Sequence, residues 1–123
     1  MISLLDHYRN QLARLPLLIA FLVSVIVLFT PESGVPTAPP GTDKVVHFTL
    51  FAALAITGRI SGWRPSSLLP ALVAYAALSE VLQGVLPLGR SCDLLDGVVD
   101  VAGALIGWAV FALRSRSSAA SSR

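Results

Sequence analysis

Charge is scarce in this chain, and cysteine is nearly absent. Only 13% of its 123 residues are Asp, Glu, Lys or Arg, against about 25% in an ordinary soluble domain. Too little polar surface is available to cover a water-soluble fold. One cysteine, Cys92, excludes an internal disulfide and a cysteine zinc cluster. The formal net charge of +2 is too small to point to nucleic acid as a partner. No Gly-x-Ser-x-Gly elbow, His-Glu-x-x-His pair or phosphate-binding glycine loop occurs. At 123 residues the chain has room for one ordinary domain.

What is present is apolar. Hydrophobic residues make up 54% of the chain, and the mean hydropathy is +0.75. Four apolar segments stand out, at roughly 12–29, 45–60, 68–86 and 94–113. A helix needs about 20 residues to cross the hydrocarbon core of a bilayer. The expected fold is therefore an all-α membrane protein, a bundle of four transmembrane helices in one domain over residues 1–113. The second segment is short because Arg59 interrupts it; it reaches span length if Arg59 snorkels to the headgroups and Trp63 sits at the interface. The first segment has the basic flank of a secretory signal peptide in Arg9 and Arg14. Its apolar run is long for a signal core, and no clean small-x-small cleavage site follows, so an uncleaved helix fits better.

Between the first two segments, TPESGVPTAPPGTD (Thr30 to Asp43) holds four prolines and reads as the one long loop. SGWRPSS and LPLGR read as tight turns. The polar tail RSRSSAASSR, 114–123, reads as disordered and cytoplasmic. With an even number of spans both termini lie on one side. That side carries Arg9, Arg14, Arg59, Arg64, Arg114, Arg116 and Arg123, and the other only Lys44 and Arg90. The positive-inside bias places both termini in the cytoplasm of a multi-pass protein of the inner or plasma membrane.

This orientation collects nearly every ionisable group within the spans at the outer leaflet. Asp43, Lys44 and His47 open the second segment; Glu80 and Gln83 close the third; Asp93, Asp96 and Asp100 open the fourth. Residues three and four apart share a helix face, so the three aspartates form one stripe. That stripe continues into Gly103 and Gly107, a small-xxx-small pattern that lets another helix approach. Asp93 reads as a helix cap. Asp100 and Glu80 lie deeper and need partners. Glu80 and His47 are the candidate acid or base, Lys44 and Arg90 the candidate anion-holding cations, and Asp96 and Asp100 would orient them. The carboxylates are of a kind that suits Mg²⁺ or Ca²⁺, but spacing alone assigns no metal and no cofactor.

The elements DKVVHF (Asp43 to Phe48), SEVLQG (Ser79 to Gly84) and PLGRSCDLLDGVVDVAG (Pro87 to Gly103) resemble the VanZ-like family of bacterial membrane proteins. The matching positions are Asp43, Lys44, His47, Phe48, Glu80, Gln83, Arg90, Asp96 and Gly103. Asp100 departs from the pattern, which usually has Asn there. The resemblance implies a small helical membrane domain linked to lowered susceptibility to teicoplanin-type glycopeptides, with Asp96 at the centre of the site and Asp100→Asn a tolerated change. It brings no settled reaction. Three functional classes remain open: an enzyme acting on a lipid-linked or cell-envelope substrate, a binding module for a glycopeptide or peptidoglycan precursor, and a structural partner that meets another envelope protein through Gly103 and Gly107.

Overall fold

The computed structural model describes residues 2–31, 39–89 and 93–121. They form four helices and no strand: α1 (Ile2–Phe29), α2 (Thr42–Ile60), α3 (Pro65–Val85) and α4 (Leu94–Ser121). The four segments read from hydropathy are therefore all helical, with shifted ends. Arg9 and Arg14 end the apolar run of α1 but not its helix, which begins at Ile2. Hydropathy registers where a helix leaves lipid, whereas backbone hydrogen bonding continues until a breaker intervenes. For the same reason α4 continues to Ser121, through 114–121, which contain no Gly or Pro.

Three of the four helices, Ser3–Phe29, Pro65–Val85 and Leu94–Ser117, are long and apolar enough to cross a membrane. In α2, Asp43, Lys44 and Arg59 fall within 19 residues, which is too much charge for a lipid-facing span. Packing resolves this. α2 touches all three other helices and lies most extensively against α4, whereas α1 and α4 do not meet among the described residues. α3 also meets all three, but α2 has the most extensive contacts and is the most central of the four helices, with Val45 and Ile60 still facing outward. The apolar core lies on it: Leu28 of α1, Phe51, Leu54 and Ala55 of α2, Leu68, Leu72 and Ala76 of α3 and Ala104 of α4. On α1, Leu18, Ile19, Leu22 and Ile26 face outward, as expected of a helix with lipid for solvent.

The α2–α4 contact is close because α4 carries glycine at two of the positions where it meets α2. A Cβ on Gly103 would run into the Phe48 carbonyl oxygen, and one on Gly107 would lie 2.5 Å from the Ala52 carbonyl oxygen. The approach that the small-xxx-small pattern permits is made inside the chain, by α2, and both glycines are buried there. At the far end of α2, Arg59 reaches past the helix end and across to α4. Its guanidinium donates to the Trp63 carbonyl at 2.6 Å and lies 5.1 Å from the Phe111 ring centroid.

Candidate functional site

Chain direction brings the start of α2, the end of α3, the start of α4 and the end of α1 to one end of the bundle. The residues singled out for chemistry sit there. Gly41, in the left-handed region at φ 89°, turns the chain into α2 and so sets Asp43, Lys44 and His47 on its first turns. At the start of α4 the Asp93 carboxylate accepts from Leu95 N at 3.0 Å, the cap that the sequence anticipates. The Asp93 N–H donates to Glu80 Oε2 at 3.1 Å, which ties the last turns of α3 to that cap.

Two layers are stacked below this rim. In the upper one, Lys44 Nζ donates to Asp96 Oδ1 at 3.0 Å and lies 3.5 Å from Asp93 Oδ2. In the lower, His47 Nδ1 hydrogen-bonds with Asp100 Oδ1 at 2.8 Å, and Glu80 Oε1 lies 3.9 Å from the same nitrogen. The other imidazole nitrogen, Nε2, lies 3.7 Å from Asp43 Oδ1, whose side chain is exposed. Phe51 and Ala104, one helical turn below His47 and Asp100, belong to the apolar core that floors the site. Water is thus kept from beneath while the Asp43 and Lys44 rim stays accessible.

The lower layer is deeply buried: His47 is 1% exposed, Glu80 5% and Asp100 0%. Each carboxylate in it keeps one oxygen, Glu80 Oε1 and Asp100 Oδ2, buried without a hydrogen-bond partner. A buried polar atom left unsatisfied costs about 1–3 kcal/mol, and more for a charged group. Burial with partial pairing is therefore concentrated at His47, Glu80 and Asp100.

Of the residues singled out in the sequence, Asp43, Lys44, His47, Glu80, Asp96 and Asp100 come together. Asp96, buried, pairs with Lys44 and also stands within 4.8 Å of His47 and Asp43, while the carboxylate hydrogen-bonded to His47 is that of Asp100. Gln83 has a structural engagement: its amide donates to the Leu28 carbonyl of α1 at 2.7 Å. Arg90 lies outside the described residues. Sequence reading missed a second link between α1 and α3, the Ser24–Tyr75 hydroxyl pair at 2.9 Å. Its signal was present, since Ser24 is the one polar residue in the apolar run of α1 from Leu15 onward.

An all-helical bundle of three membrane-length apolar helices packed on a more charged fourth is a membrane protein, and its polar residues are gathered at one end. The family model for VanZ/LLP1 matches residues 7–115, and the chain belongs to that family. No curated protein and no solved structure matches it.

Proposed function

We propose that the polar end of the bundle is an outer-leaflet site that binds and acts on an envelope ligand of lipid-linked, peptidoglycan-related or glycopeptide character. The protein would sit in the bacterial inner or plasma membrane with both termini in the cytoplasm, and the phenotype would be lowered teicoplanin susceptibility. The bias of seven basic residues against two supports the orientation. The family supports the envelope setting. The observation that carries the reading is the buried trio of His47, Glu80 and Asp100, with two carboxylate oxygens left unpartnered.

In this reading His47 and Glu80 carry the proton traffic. His47 is held by carboxylates near both ring nitrogens, Asp100 on one side and Asp43 on the other, so the imidazole is fixed in orientation and able to pass a proton between them. Lys44, half-exposed at the rim, meets the anionic group of the ligand, and Asp96 holds the ammonium in place. Glu80→Gln tests the reading: it keeps shape and removes acid–base capacity. Teicoplanin susceptibility of a strain carrying the variant should match that of a strain lacking the gene, with the variant still present in membranes at the normal level. Full retention of the phenotype would defeat the proposal.

A further inference from the structure

The geometry points to a divalent transition-metal site formed by His47 Nδ1, Glu80 and Asp100, specific for ions such as Zn²⁺ or Mn²⁺ that accept one imidazole and two carboxylates. The inference rests on the reading above only for the ligand on which the ion would act; the ion site itself stands on the geometry, and with an ion bound His47 Nδ1 and Glu80 are its ligands while the proton traffic passes to water on the ion. One ligand atom from each of these three residues lies within 4.8 Å of the others, and all three residues are buried. Nδ1 stands 2.8 Å from Asp100 Oδ1 and 3.9 Å from Glu80 Oε1. Two ligands held about 2.0–2.1 Å from a tetrahedral ion are about 3.3 Å apart, a value these two separations straddle. Side-chain adjustments of about half an ångström would bring Nδ1 to that spacing from each carboxylate, and the two carboxylates already lie within 4.8 Å of each other.

Independent support comes from the two orphaned oxygens. Glu80 Oε1 and Asp100 Oδ2 are buried without hydrogen-bond partners, on side chains exposed by 6% and 0%. A cation held by Glu80 Oε1 and by both oxygens of Asp100 satisfies both, which no side chain among the described residues does. Charge points the same way. Asp43, Glu80, Asp93, Asp96 and Asp100 gather at this end, and Lys44 is engaged with Asp93 and Asp96 in the rim layer. Among the described residues the lower layer has only His47 as a counter-charge.

The donor set selects the ion. Imidazole favours Zn²⁺ and other transition metals over Mg²⁺ and Ca²⁺, and carboxylates extend the choice to Mn²⁺. Three protein ligands leave a fourth position for water or a ligand oxygen, the arrangement of catalytic rather than structural zinc. With Nδ1 on the ion, the ring proton resides on Nε2, towards Asp43 at 3.7 Å. Asp43 then takes the orienting place that an outer carboxylate commonly holds behind a metal-bound histidine.

The test uses the full chain, purified in detergent micelles, stripped with chelator, and titrated separately with ZnCl₂ and MnCl₂. One equivalent of ion should bind, as read by calorimetry and elemental analysis. Glu80→Gln and Asp100→Asn should each weaken affinity at least tenfold. His7→Ala, which removes the chain's other histidine from exposed α1, should leave binding unchanged. Helical circular dichroism and melting of the metal-free variants establish that they fold. If either does not fold, pulsed electron paramagnetic resonance of the Mn²⁺-loaded wild type decides, since a directly bound imidazole nitrogen couples to the electron spin. Absence of stoichiometric binding, binding retained in the Glu80→Gln/Asp100→Asn double variant, loss of binding in His7→Ala, or absence of the nitrogen coupling would each overturn the site. Binding without any effect of Glu80→Gln on teicoplanin susceptibility would instead refute the envelope-ligand reading and leave the ion site standing.

Discussion

Gly107→Ala should separate the two central helices and weaken both the fold and the site. The added Cβ would stand 2.5 Å from the Ala52 carbonyl oxygen and 2.9 Å from its Cα. Ordinary contact begins near 3.4 Å, so α4 must retreat by about 0.9 Å. The obstacle is backbone and cannot rotate aside, which puts the change at the upper end of overpacking costs, about 3 kcal/mol. Alanine recovers about 1 kcal/mol of helix propensity. The net loss of about 2 kcal/mol is roughly a 30-fold fall in the folded-to-unfolded ratio. The same retreat, carried two turns along α4, would stretch the His47–Asp100 bond of 2.8 Å beyond hydrogen-bond reach. Unfolding of the purified protein in micelles, with increasing denaturing detergent, gives the stability. Gly97→Ala is the matched control, because its Cβ meets Glu80 Cγ at an ordinary 3.6 Å; it should be neutral or up to about 1 kcal/mol stabilising. Equal stability of Gly107→Ala and wild type, or a larger loss in Gly97→Ala, would refute the close-packing argument.

Gln83→Leu should cost about 1–3 kcal/mol in the same assay, because the buried Leu28 carbonyl loses its donor; a neutral result would show that the α1–α3 clamp carries no weight. Topology is read by labelling intact cells with a membrane-impermeant thiol reagent in a Cys92→Ser background. A cysteine at Thr37 should be labelled and one at Ser118 shielded, and the reverse pattern would move the site to the cytoplasmic leaflet.

The helices were legible because runs such as Leu15–Phe29 are apolar over a membrane thickness, and the polar cluster because ionisable residues sit near alternate ends of successive segments. Partner choice within the cluster was not. The spacing of Asp93, Asp96 and Asp100 places them on one stripe, but whether His47 meets Asp96 or Asp100 depends on the axial register of α2 against α4. That register is fixed by Gly103 on Phe48 and Gly107 on Ala52, contacts between residues more than 50 positions apart in the chain. Gln83 was equally ambiguous, since a buried amide serves a ligand or a neighbouring carbonyl with the same chemistry. Arg59 shortened the apolar reading of α2 without revealing why a charged helix is tolerated; its close packing on α4, which pairs Lys44 with Asp96 and sets Arg59 over Phe111, explains that.

That packing has a consequence for biogenesis. α2 emerges from the ribosome carrying Asp43, Lys44, His47 and Arg59, and a charged side chain at the middle of a span disfavours insertion by about 2.5–3.5 kcal/mol, less near its ends. The carboxylates that neutralise Lys44 and engage His47 belong to α4, synthesised last. At about 5–20 residues per second, the forty residues from Ile60 to Asp100 take roughly 2–8 s. During that interval α2 has only α1 and then α3 as shelter. Completion of the polar centre is therefore the final act of assembly, and a chain truncated before α4 would display an uncompensated lysine to the proteases that clear orphaned membrane segments.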